Sequence, residues 1–194
     1  MQKPNNYDNT QVGGDYTPIE LGGHTAKILR VEETTSKSGK PMIKVAIDFD
    51  SKDVQPGYFQ DQFDNDTRAD KKWPYQGTQY ILTEDADGKC RKAFKGFVSS
   101  VEDSCNSKCP WDDTFEKWFK NKKVGVVFGE VEEEYNGEVK TRRRIRWFCA
   151  YDKAKDASIP DKMFLDNAPK TTTTATEQKK EFMNVPEDTD EIPF

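Results

Sequence analysis

Asn136-Gly137 lies between two long stretches of alternating apolar and polar residues. A type I′ turn needs positive φ at both central residues, which Asn and Gly adopt at low cost, so this dipeptide predicts a tight β-hairpin. Lys123 to Tyr135 (KVGVVFGEVEEEY) reads as the incoming strand, with Gly125 and Gly129 inside it, and Glu138 to about Tyr151 as the returning one. A ribbon of this kind is marginal alone in water, so the rest of the chain has to supply its partners.

Upstream, His24 to Thr34 (HTAKILRVEET) suggests a first strand, and Ser36 to Pro41 a turn. Met42 to Asp50 alternates, with Ile43, Val45, Ile47 and Phe49 on one face and Lys44, Ala46 and Asp48 on the other, as a half-buried strand does. Ser51 to Gln76 is irregular; Tyr58-Phe59 and Phe63 suit an edge strand, and Tyr80-Ile81-Leu82 suits a strand or a helix start. Lys89 to Ser104 reads as a helix whose apolar stripe is Ala93, Phe94, Phe97, Val98 and Val101; close packing is the expected reason for Gly96 inside it. A second short helix follows Pro110, with Asp113 and Glu116 at capping-box spacing and Phe115, Trp118 and Phe119 as core. Met1 to Glu20 reads as a flexible polar arm, Met163-Phe164-Leu165 as a segment docking on the domain, and the residues from Asp166 as a polar linker and tail. The element order points to a mainly β chain with inserted helices. It suits a five-stranded Greek-key OB barrel over residues 21–165, with another small β-sandwich or barrel as the alternative, and a disordered arm (1–20) and tail (166–194).

Charge is divided along the chain. From Asp166 onward there are seven acids and three lysines, whereas the preceding residues carry 28 acids and 27 basic residues. The body is therefore nearly neutral, and affinity for nucleic acid has to come from a local patch. No apolar run approaches membrane length and the first residues lack a signal-peptide core, so a cytoplasmic protein with no membrane partner is expected. Cys90, Cys105, Cys109 and Cys149 form no CxxC pair and the sole histidine is His24, so reduced structural thiols are expected, with no metal and no cofactor.

Glu187 to Phe194 (EDTDEIPF) sets Glu187, Asp188, Asp190 and Glu191 before Ile192-Pro193-Phe194. Such a segment is too short and too charged to bury itself. Its aromatic ring and terminal carboxylate suit a basic-rimmed pocket on a partner, and Pro193 stiffens the last step. This ending resembles the C-terminal tip of bacterial and bacteriophage single-stranded DNA-binding proteins. GGHTAKILRVEETTSKSGKPMIKVAIDF, KAFKGFVSSVE and VGVVFGEVEEEYNG extend the likeness to small phage-encoded members with an OB fold. The resemblance implies single-stranded DNA as ligand, phage DNA replication, recombination or repair as setting, and a polymerase, primase, helicase or recombinase as partner of the tail. Homo-oligomers are compatible with it, although the tetramer of the housekeeping bacterial members is not implied.

The residues for such a task can be named without the family. On the returning strand, alternation puts Lys140, Arg142, Arg144 and Arg146 on one face, followed by Phe148, with Trp147 on the opposite, core face. Phosphate contacts are expected from those four and Lys44. Arg68, Lys71, Lys72, Trp73 and Tyr75 make a basic and aromatic loop, of which Arg68, Lys72, Trp73 and Tyr75 are expected contacts, with Phe148, Trp73 and Tyr75 as stacking groups. The competing reading of the basic row is a solvated face paired with Glu132, Glu133 and Glu134 across the hairpin. Two other classes stay open: an adaptor that binds only proteins through its tail, and a metal-dependent nuclease using Asp48, Asp50, Asp61, Asp64 and Asp66. For the latter no completing constellation is present, and a binding protein without enzymatic activity is the expectation.

Overall fold

The structure, a computed structural model, describes residues 17–165 together with Gln2, Lys3, Asn5 and Tyr7. The acidic tail therefore lies outside the described residues. Strands β1 (Gly22–Thr35), β2 (Pro41–Phe49), β3 (Thr78–Leu82), β4 (Lys123–Tyr135) and β5 (Glu138–Cys149) form one antiparallel sheet in the order β3-β2-β1-β4-β5. The chain is thus mainly β, with three helices among the described residues: α1 (Tyr58–Asn65), α2 (Lys92–Cys105) and α3 (Phe115–Trp118). The hairpin forms as its turn residues require, with φ of 54° at Asn136 and 77° at Gly137.

The apolar faces anticipated for β2 and α2 close on one another. Ile43, Val45, Ile47 and Phe49 share one buried core with Phe97, Val98 and Val101 and with Phe59, Phe119 and Phe128. Phe115 and Phe119 are buried, as expected. Ala93, placed on the stripe of α2 by its spacing, is instead exposed. Gly96 is exposed too, and a Cβ there would meet nothing within 4 Å, which corrects the packing explanation. Gly96→Ala should therefore raise stability by about 0.5–1 kcal/mol through helix propensity alone, measurable as a higher denaturation midpoint with an unchanged slope.

Residues 58–65, expected as an edge strand, form α1. The reason lies in Asp48: its Oδ1 accepts the amides of Phe59 (3.0 Å) and Gln60 (3.4 Å), two of the donors that a helix start leaves unpaired, and that of Phe49 (2.9 Å). Burial pushes the Asp48 carboxyl above its ordinary range in spite of these amides. Asp113 and Glu116 do not form a capping box. Asp112 Oδ1 accepts from the Thr114 amide (2.8 Å), and Glu116 Oε1 takes the amide of Glu33 in β1 (2.6 Å).

Two bulges decide which side chains face outward. In β1 the register slips between Ile28 and Arg30, and in the β4–β5 ladder Val127 pairs with Trp147 but Phe128 with Ile145, leaving Arg146 unpaired. A slip of one residue swaps the faces of everything beyond it. Arg30 is turned out where strict alternation from Ile28 would turn it in. Phe148 is turned in against Phe97 (ring centroids 4.8 Å), and Trp147 is turned out, 42% exposed. Trp147 as core and Phe148 as a stacking surface are both corrected by this one residue.

The domain also takes in its flanks. The expected arm ends earlier than residue 20, because Ile19 is fully buried and its carbonyl accepts from Arg143 Nη1. After β5 a 3-10 segment, Tyr151–Asp156, packs so closely on the outer face that a Cβ at Gly23 or Gly125 would collide with it. Met163 then pairs in parallel with β4: its amide donates to Glu130 O and its carbonyl accepts from the Glu132 amide, both at 2.9 Å. Docking here is by backbone, since Met163 and Phe164 remain exposed.

A candidate nucleic-acid interface

The sheet offers two adjoining clefts. The first, about 650 Å³, lies over the outward faces of β1, β2 and β3 and carries Arg30, Lys44 and Tyr80 from those strands. Lys44 and Tyr80 are direct cross-strand partners, so their side chains leave the sheet together. The bulge in β1 brings Arg30 to the same side. Its other wall is the end of α1, with Phe63, and the segment that follows, with Lys71, Lys72, Trp73 and Tyr75. Arg30, Lys44, Arg68, Lys71 and Lys72 give it five cations, Phe63, Trp73, Tyr75 and Tyr80 four aromatic rings, and no carboxylate lines it.

The loop is held in shape by its own bonds. Trp73 Nε1 donates to Ile47 O (3.1 Å) and its ring tilts against Phe63 (5.6 Å), so Trp73 is half-buried and presents only part of its surface. Lys71 lies over the Phe63 ring and donates to Asp64 O (3.1 Å). Gln76 Nε2 reaches Arg143 O (3.2 Å), linking this loop to the far edge strand, β5. Tyr75 and Tyr80 are the open aromatics, 49% and 42% exposed.

The second cleft, about 910 Å³, shares Arg68, Lys72, Pro74 and Tyr75 with the first and continues past them to Arg142 and Arg144. Its charge is mixed. Asp61 and Asp66 line it, and Arg68 grips Asp66 through Nε (3.0 Å) and Nη2 (2.7 Å). The Arg68 side chain and amide hold the Asp66 carboxyl down at about 2. Arg144 binds Glu133 through Nε (2.5 Å) and Nη2 (2.6 Å) and lies over the Tyr75 ring, 4.2 Å from its centroid, while Arg142 Nε is 3.5 Å from the same carboxylate. Gln62 Nε2 is buried without a hydrogen-bond partner among the described residues.

The expected binding residues are thus divided. Lys44, Arg68, Lys72, Trp73 and Tyr75 converge on the first cleft, and Arg142 and Arg144 on the second. Lys140 and Arg146 line neither: Lys140 pairs with Glu138 beside the turn (2.8 Å), and Arg146 donates to Asp161 O (3.0 Å). The basic row does not act as one surface, and its pairing with Glu133 follows the competing reading in part. Arg30, Phe63 and Tyr80 were not singled out by the sequence as contacts, and Lys71 was read only as a member of the basic and aromatic loop. Lys71 stood beside chosen residues and Tyr80 opposite Lys44, whereas Arg30 needed the bulge.

The carboxylates considered for catalysis do not converge. Asp48 caps α1, Asp50 lies 3.8 Å from Lys123, and Asp66 holds Arg68. Among the described residues no group of three or more His, Cys, Asp or Glu is placed to hold a metal. All four cysteines are free thiols, and burial pushes Cys109 up to about 11. No helix among the described residues is long and apolar enough to cross a membrane. No protein-family model matches the chain, and no curated protein matches it.

Proposed function

We propose that this chain binds single-stranded DNA along the groove formed by the two clefts and recruits replication or recombination proteins through its acidic C-terminal tail. The observation that carries the reading is the first cleft: five cations and four aromatic rings in one concavity with no carboxylate among its walls. Unpaired strands are held this way, by cations following the phosphates and by ring faces on which bases stack, at about 1–3 kcal/mol per base. A duplex hides its base faces inside the helix and cannot use Tyr75 or Tyr80 in this manner.

An OB barrel is the architecture that best accounts for the arrangement. Strand order β3-β2-β1-β4-β5, a helix between β3 and β4, and the Gln76 link from the β3 side to β5 all support it. The cleft's position over β2 and β3 matches the face that such barrels use for oligonucleotides. The tail contributes the recruiting function on the strength of its sequence, EDTDEIPF.

Titration of the full chain with poly-dT, followed by tryptophan fluorescence or by anisotropy of a labelled strand, tests the proposal. Binding should be tighter than to duplex of equal length, and log K should fall with log salt at a slope of about −3, for four or five phosphate contacts on a single strand. Absence of binding at low salt would leave the protein-only adaptor as the better account.

A further inference from the structure

Every arginine lining the second cleft already holds a carboxylate. Arg68 grips Asp66 from one wall, and Arg142 and Arg144 share Glu133 on the other. Both grips have the two-pronged guanidinium geometry that suits a phosphate equally well, through Nε and Nη2 of the same side chain. Tyr75 and Lys72 stand where the two clefts join. Lys72 has no ion-pair partner within 4.0 Å among the described residues, and the first cleft has no carboxylate in its walls. The first cleft is the looser half: Arg30 and Lys44 touch only Glu32, outside its walls, at 3.3 and 3.7 Å, whereas Arg68 and Arg144 are each held at two points.

We propose that Asp66 and Glu133 are internal stand-ins for phosphate, displaced by a bound strand only when it is long enough to run past Tyr75 into the second cleft. The inference rests on the single-stranded DNA reading and deepens it. A short strand fills the first cleft and leaves both carboxylates in place. A longer one brings a phosphate to each grip, and the released carboxylate turns to the solvent that fills the cleft. Arg68 is well placed for the exchange, being 69% exposed where Asp66 is 14%. Arg144 keeps its stacking on Tyr75 while it changes anion, and Arg142, at 3.5 Å the looser of Glu133's two partners, moves first.

Glu133→Gln and Asp66→Asn keep side-chain shape and remove the competing charge. Each full-length variant should bind a dT strand of about 16 nucleotides roughly three- to tenfold tighter than wild type at low salt. A dT strand of about 4 nucleotides should bind all three proteins alike. Asp87→Asn, which changes an exposed pair with Lys89 away from both clefts, makes the same change in net charge and should alter neither affinity. Thermal unfolding shows that the variants are folded; should Glu133→Gln fail, Asp66→Asn, whose partner Arg68 is 69% exposed, carries the test. Wild type that binds no strand overturns the DNA reading itself. Wild type that binds, with both variants unchanged or weaker on the long strand, or with Asp87→Asn giving the same gain, overturns the stand-in role alone.

Discussion

Alanine at Lys44 and Tyr80 together should weaken binding of poly-dT by about a hundredfold while leaving the fold intact. One stacked base contributes about 1–3 kcal/mol, and a lost phosphate contact adds to it. The two side chains are cross-strand partners on β2 and β3 and rise from the sheet into the same cleft. Tyr80 is 42% exposed, so its truncation removes little from the core. Loss of the lysine should also flatten the salt dependence by about 0.7 in slope. Trp147→Ala makes the contrast: an aromatic equally exposed but outside both clefts, whose removal should leave affinity unchanged. Equal losses from the two changes, or none from either, would count against the first cleft as the binding surface.

Asp53→Ala should lower folding stability by about 2–4 kcal/mol, because each buried donor left without its acceptor costs about 1–3 kcal/mol. His24 and Asp53 have side chains only 1% and 3% exposed, and Nδ1 of the ring lies 2.8 Å from Oδ1 of the acid. Nε2 faces Glu20 O at 3.0 Å, and the ring stacks on Phe49 with centroids 4.2 Å apart. Asp53 also accepts the amides of Thr25 (2.7 Å) and Gln55 (3.0 Å), so alanine leaves several buried donors without an acceptor. Gln55 in turn holds residues 18–20 through Pro18 O and the Glu20 amide, so the change should loosen the N-terminal anchor as well.

The same pair makes a prediction about acid. Burial raises the Asp53 carboxyl, but the His24 bond and charge and the two amides outweigh it and hold the group below its ordinary value. A carboxyl lowered by folding stabilises fully above its unfolded value, about 4, and loses that contribution as pH falls through the folded one. The gap between wild type and Asp53→Ala should therefore be widest near neutrality and narrow in acid. Asp48 is shifted the other way and acts oppositely in the same range, but it is common to both proteins. Chemical denaturation of the two across pH 3 to 7, on the scale of those ordinary values, measures the gap directly.

Much of the sheet was legible because its signals are local. Asn136-Gly137 states its own turn, and Ile43 to Phe49 states its own face. Failures came where a distant residue intervenes. Nothing between Tyr58 and Asn65 announces that Asp48, ten residues earlier, will cap a helix there. A bulge changes no composition, so alternation counted through Arg146 exchanged Trp147 with Phe148. The candidate interface shows the same split: Arg68, Lys72, Trp73 and Tyr75 stood out as a cluster, but their meeting with Arg30 and Tyr80 depends on strand order and on a one-residue slip. The charges across the hairpin were visible in sequence, whereas which carboxylate each arginine would reach was not.

The outer flank of β5, which pairs with no strand among the described residues, has a consequence for crowding. An unpaired strand edge invites another chain to continue the sheet, and proteins packed side by side on one polymer would meet that hazard constantly. Here the flank carries Lys140, Arg142 and Arg144, one of its carbonyls is already taken by Gln76, and the kink at Arg146 spoils its straightness. Copies that bind one strand, as proposed, would then resist joining edge to edge.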